Sequence, residues 1–313
     1  MLQPFLTTLT LSHSLTLLPA ARALIRLGCS QLVIDRLDPL LEAGSTPSAH
    51  LHQIIGGNSF VPDMRPKKRV PQKGNVGFEE VNGGKTVYYM QNQLAGFQQK
   101  SKAKAFQPIS LGFRMLIGSP TLTTRAEADK FPQLTCTCLQ DMGTRFPETK
   151  YLPTKPCPAG IMVNLRFPIC WDGVNLDSLD YISHMSYPAS GTFESQGPCP
   201  SSHPVRMPQR MFEVIYKTPS FKDSADWPED GSQPFVHSFG DATGFANHGD
   251  YLFGWKYDSL QQIMDEECYV GCSSMRTQSV KEMNECSVTR KVDEDVGIST
   301  YVSRLGSWFR CNS

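Results

Sequence analysis

The sequence has no excess charge of either sign. Its 30 Lys and Arg balance 30 Asp and Glu, so it lacks the basic surface that a nucleic acid or an anionic membrane would need as a partner. The one dense basic run, Lys67-Lys68-Arg69, lies in a Pro- and Gly-rich stretch and reads as a solvated loop. No stretch approaches the ~20 apolar residues of a membrane span, so a soluble mature chain is expected. Common catalytic signatures are also missing. Without Gly-x-Ser-x-Gly there is no α/β-hydrolase nucleophile elbow. Without a P-loop or a G-x-G-x-x-G fingerprint, no nucleotide cofactor is expected. His-Glu-x-x-His is absent as well, and long helical periodicity is scarce among 24 Gly and 23 Pro.

What the chain does have first speaks to its compartment. Phe5 to Leu18 is mildly apolar and leads into Pro19-Ala20-Ala21-Arg22-Ala23, a small-residue segment suited to cleavage after Ala23. This resembles a signal peptide over residues 1–23, although no Lys or Arg precedes the apolar part. The expectation is a secreted, extracellular protein with a single domain over 24–313, working as a monomer. Ten cysteines agree: Cys29, Cys136, Cys138, Cys157, Cys170, Cys199, Cys268, Cys272, Cys286 and Cys311. Their even number in loop-rich sequence suits disulfides worth ~2–4 kcal/mol each. Neither close pair, Cys136/Cys138 or Cys268/Cys272, forms a Cys-x-x-Cys zinc knuckle.

The pattern is mostly short and β-like. Gly84–Met90, Gly160–Phe167 and Met211–Tyr216 are rich in β-branched or aromatic residues. One helix is expected near Asp258–Met264, where Leu260, Ile263 and Met264 share a face and Asp258 can cap. A second, weaker one is expected from Arg125 to Lys130. The predicted fold is mainly β, a β-sandwich or jelly roll with long disulfide-stapled loops and one or two short helices.

Four of the seven histidines (His184, His203, His237, His248) fall between Cys157 and Trp255, amid Gly, Pro, Asn and Asp. His50 and His52 stand apart at i and i+2. In a strand both imidazoles would face one side and could ligate one metal ion, with His184, His203 or His248 as a third ligand. His248-Gly249-Asp250-Tyr251 groups an imidazole, a carboxylate and a phenol. A carboxylate two residues from an imidazole can orient it for proton transfer. His184, Asp241 and Arg114 join these as candidate catalytic residues. The plain alternative is that Gly240-Asp241 and Gly249-Asp250 are turns whose carboxylates bond their own backbone. Trp171, Asp172, Asn175, Asp177, His203 and Trp255 are candidates for substrate contact, with the acidic ones also possible calcium ligands.

Several blocks resemble one family. Phe167-Pro168-Ile169-Cys170-Trp171-Asp172-Gly173-Val174-Asn175-Leu176-Asp177-Ser178, Ser183-His184, Tyr187-Pro188 and Cys199-Pro200-Ser201-Ser202-His203-Pro204-Val205 are similar to the signature of the fungal secreted domain-of-unknown-function family DUF1996. Gly240–Gly244, His248–Tyr251 and Gly254-Trp255 look like its second block. Arg36-Leu37-Asp38-Pro39-Leu40, His50-Leu51-His52, Gly56-Gly57 and Gly112–Leu116 look like its first. The likeness runs from about Arg26 to Gly297 and departs from the family pattern after Val61, where an aromatic Cys-x-x-Cys segment is replaced by Val61–Gly74. The resemblance implies a fungal extracellular protein without assigned chemistry. Two readings follow: an enzyme, lyase or hydrolase, acting on cell-wall polysaccharide, or a non-catalytic glycan-binding or wall protein.

Overall fold

The computed structural model describes residues 22–29, 31–42, 45–55, 66–72, 75–80, 83–92, 112–194, 197–223, 226–237, 240–255, 258–266, 272–275, 279 and 292. The leader expected over residues 1–23 therefore lies outside them except for Arg22 and Ala23. In chain order the strands are β1 (Arg22–Cys29), β2 (Gln31–Asp35), β3 (His52–Ile55), β4 (Pro66–Gln72), β5 (Asn75–Glu80), β6 (Gly83–Asn92), β7 (Arg114–Gly118), β8 (Leu134–Leu139), β9 (Gly160–Arg166), β10 (Cys170–Trp171), β11 (Met185–Ser186), β12 (Val205–Arg206), β13 (Gln209–Tyr216), β14 (Phe235–His237) and β15 (His248–Leu252). Two short helices join them, α1 (Arg125–Ala128) and α2 (Ser259–Asp265).

The three segments richest in β-formers become neighbours. β6, β13 and β9 are the central strands of an antiparallel sheet ordered β1-β6-β13-β9-β8. Alternation along them builds an inner face from Val87, Phe212, Val214, Ile161, Val163 and Leu165, all buried. β9 is buried at every position, and residues from 141–152 meet Met162 and Arg166 on its other face. β9 begins at Gly160, whose φ is +109°, where a Cβ would stand 2.5 Å from the Tyr216 carbonyl oxygen. Only glycine fits that approach.

A second layer packs on the inner face. β7 and β15 form an antiparallel pair. Gly249 of β15 faces Leu165, Phe167 and Phe212, and the Tyr251 ring lies 6.1 Å from that of Phe167. The result is a mainly β, sandwich-like arrangement whose apolar interior is shared by both layers. The β2–β3 ribbon adds a small separate cluster of Leu32, Val33 and Ile54. On the far side of β7, the segment following β10 runs alongside: Arg114 N–H donates to the Leu176 carbonyl at 3.1 Å and Leu116 N–H to that of Tyr181 at 2.9 Å.

Three sequence expectations need correction. Lys67-Lys68-Arg69 is not loop but part of β4, paired with β5 and β14. Not every cysteine is oxidised. Cys138–Cys157 and Cys170–Cys199 are disulfides and Cys272 is also bridged, whereas Cys29 and Cys136 are thiols. Cys136 sits fully buried in the apolar interior, where the Asn247 amide donates to its Sγ at 3.6 Å. In α2, Leu260, Ile263 and Met264 are buried as expected, but Asp258 accepts from the Gln262 side chain at 2.9 Å rather than capping a backbone N–H. α1 is capped by a reciprocal Thr124/Glu127 box, which explains a helix of one turn. Among the described residues no helix is long and apolar enough to cross a membrane.

Candidate metal centre

His52 opens β3 and pairs with Asp35 of β2. His50 lies in the bend just before it, so the two rings converge with centroids 4.4 Å apart. His248 opens β15, opposite Gly118 of β7. Gly118 has φ +76°, and a Cβ there would meet the Asn247 carbonyl oxygen at 2.3 Å, so this glycine sets the close approach that delivers His248. The His50 and His248 Nε2 atoms come within 3.3 Å. One nitrogen from each of the three imidazoles lies within 4.8 Å of the others, and this is the group among the described residues that could hold a metal ion.

The surroundings prepare these rings as neutral donors. His248 Nδ1 lies 3.1 Å from the Ala246 carbonyl, which fixes the proton on Nδ1 and leaves the Nε2 lone pair facing His50. Burial pulls the His248 pKa down to about 3. For His52, burial and then the two neighbouring imidazoles pull it to about 2. Burial also lowers that of half-buried His50, with Asp38 and Glu42 opposing and Arg36 assisting. His52 is almost fully buried, and neither ring nitrogen makes a hydrogen bond. The Leu37 carbonyl favours its protonated form without meeting hydrogen-bond geometry.

The loop carrying His50 is tied from both sides. The Ala49 N–H donates to Glu42 Oε2 at 2.6 Å, its carbonyl accepts from Arg36 Nη1 at 2.9 Å, and Ser48 Oγ donates to the His50 carbonyl at 2.9 Å. Asp38 is buried, with Oδ1 accepting from the Leu40 and Leu41 N–H groups, each at 2.9 Å. Asp38, Arg36 and Glu42 are site neighbours to which the sequence reading gave no role. Their signal was the Arg36–Leu40 block, noted only as part of a resemblance. Asp250 projects from the same side of β15 as His248. It is buried with Oδ1 unpartnered, and burial, reinforced by Asp38, raises its pKa well above the carboxylate range.

The other anticipated residues are placed elsewhere. Tyr251 points to the opposite side of β15, its hydroxyl 3.1 Å from that of Tyr89. Trp255 donates to the same Tyr89 hydroxyl at 2.9 Å. His184 lies across β7, with Nδ1 3.0 Å from Ser178 Oγ and its ring edge-on to Phe113. Asp241 anchors its own turn, accepting from the Thr243, Gly244 and Ala246 N–H groups. Arg114 pairs with Asp177. Trp171 is buried and donates to the Asn175 carbonyl at 2.6 Å, so it offers no exposed ring face. Asp172 accepts from Val174 N–H, Asn175 N–H and the Asn175 amide, as a turn acceptor does. His203 Nε2 lies 3.0 Å from the Ser183 carbonyl.

Fold and site together define a β-sandwich-like protein that gathers three neutral imidazoles from two separate sheets. The chain belongs to a family described as a domain of unknown function, DUF1996, whose model matches residues 67–255. His248 falls inside that range and His50 and His52 precede it. No curated protein and no solved structure matches the chain.

Proposed function

We propose that this protein binds a single divalent transition-metal ion through His50, His52 and His248, and that it acts outside the cell on polysaccharide. The observation that carries the metal reading is the convergence of three neutral imidazoles. With nitrogen donors and neither thiolate nor carboxylate among them, the set suits zinc, copper, nickel or iron rather than calcium or magnesium. Three protein ligands leave a coordination position open, which is the pattern of catalytic rather than structural sites. His50 is the half-buried member of the set. A bound ion would supply Lewis acidity and would lower the pKa of a bound water. The chain itself contributes the fixed Nδ1 proton of His248 and a buried carboxyl at Asp250 whose pKa burial raises.

The disulfides support an oxidising compartment, and polysaccharide is the extracellular substrate class we propose. A non-catalytic glycan-binding protein is the rival, and it predicts affinity without turnover. Metal content after loading with zinc or copper and dialysis tests the centre, with about one equivalent expected and loss in His52→Ala. Loading that is substoichiometric, or equal in the variant, would remove the metal reading. A panel of polysaccharides assayed for reducing ends and unsaturated products, with metal-loaded and chelated protein, tests the rest.

A further inference from the structure

The outer face of the five-stranded sheet carries a second polar site, remote in character from the metal centre. Across three strands, Glu213 of β13, Asn164 of β9 and Thr135 of β8 stand directly opposite one another, so their side chains share one face. Residues 141–152 close over them. Arg145 pairs with Glu213, and Tyr88 donates to the same carboxylate at 3.4 Å. Arg166 makes a two-pronged pair with Glu148, at 2.8 and 3.0 Å. Both carboxylates are therefore matched by guanidinium groups.

The layer also has unmet neutral hydrogen-bonding capacity. Asn164 is fully buried, and neither its amide oxygen nor its amide nitrogen has a partner. The Thr137 hydroxyl, on the same face two residues along β8 from Thr135, is likewise buried and unpartnered. A donor, an acceptor and a hydroxyl held together without partners carry the desolvation penalty of unmade bonds. Vicinal hydroxyls match that set, because each can donate and accept at once. The layer reaches solvent at Arg145, whose side chain is one-third exposed, and at half-buried Tyr88. The next residue in the chain, Phe146, is 70% exposed.

We infer that this outer face, with Asn164 and Thr137 as its floor and Arg145, Tyr88 and Phe146 at its mouth, is a binding site for a neutral sugar unit. Entry requires Arg145 to swing off Glu213. The inference rests on the polysaccharide half of the reading above and not on the metal.

The test is calorimetric titration of chelator-treated protein with chitohexaose, laminarihexaose and cellohexaose. Wild type is expected to bind at least one of them, and Asn164→Leu to weaken that binding about tenfold or more while raising the melting temperature of the free protein. Phe146→Ala, at an exposed position that cannot threaten folding, is expected to weaken it about threefold to tenfold. Binding unchanged in both variants, with Asn164→Leu merely stabilising, would mean that the layer holds internal water only, and would overturn this inference while leaving the polysaccharide reading in place. Failure of wild type to bind any of the three overturns both.

Discussion

Replacing His52 with leucine should change stability with opposite signs depending on metal. In the metal-free protein His52 is an imidazole buried to 1% exposure with two nitrogens that make no hydrogen bond. Leucine has similar volume and needs no partners, so the exchange removes a desolvation penalty of about 1–3 kcal/mol, offset by imperfect repacking of up to about 1.5 kcal/mol. The net gain in chelator should be about 1 kcal/mol, or about 2–4 °C in melting temperature for a domain of this size. With metal at a hundredfold excess over its dissociation constant, the wild-type protein gains about 2.7 kcal/mol by mass action, and the variant loses most of that gain. Thermal unfolding of both proteins in chelator and in excess zinc therefore yields a crossing: His52→Leu melts higher without metal and lower with it. If the variant melts lower by the same margin in both buffers, His52 is a packing residue and the argument from its unpartnered nitrogens is wrong.

Other outcomes follow from the same geometry. His52, His248 and His237 have folded pKa values pulled down to about 2, 3 and 4, so below about pH 6.5 the unfolded chain takes up protons that the folded one refuses. Metal-free stability should fall as pH drops from 6.5 toward 4, by up to about 1.4 kcal/mol per pH unit for each such histidine. Denaturant titrations at pH 7 and 4.5 measure this, and a flat profile counts against buried neutral imidazoles. Gly118→Ala should destabilise by about 2 kcal/mol or more, because its Cβ would overlap the Asn247 carbonyl at positive φ, and it should reduce metal loading by displacing His248. Equal loading in a folded variant would show that Gly118 does not set the site. Cys29 and Cys136, with pKa values raised to about 11 and 12 by burial, should resist alkylation in the native protein and react after unfolding. Peptide mapping of N-ethylmaleimide adducts decides it, and native labelling of Cys136 would contradict its burial.

The fold was legible where local pattern and tertiary environment agree. Gly84–Met90, Gly160–Phe167 and Met211–Tyr216 read as strands because β-branched and aromatic residues alternate there, and they are β6, β9 and β13 at the centre of the sheet. β4 was misread because Pro66 and Pro71 flank a basic run that looks like loop until pairing with β5 and β14 is known. At the site, the i, i+2 spacing of His50 and His52 was a usable signal. The choice of His248 over His184 and His203 was not available, because it depends on β7 placing β15 on one of its edges and the Leu176–Tyr181 segment on the other. At Asp172 the sequence is ambiguous for a related reason: a turn that satisfies its own backbone uses the same side chain as a binding loop. The polar row through Asn164 left no mark, because a buried strand interrupted by one Asn is unremarkable until its cross-strand neighbours are also polar.

The small β2–β3 ribbon keeps its own apolar cluster, and one of its edges supplies His50 and His52, while the third imidazole comes from a strand some 198 positions along the chain. An ion held among them would act as a removable cross-link between distant stretches of polypeptide. The ribbon is otherwise held by buried side chains, Ile55 among those of the main core, so removing the ion should release this one tie and raise protease susceptibility around residues 45–55 in chelator. Local proteolysis would then report metal status without any knowledge of the substrate.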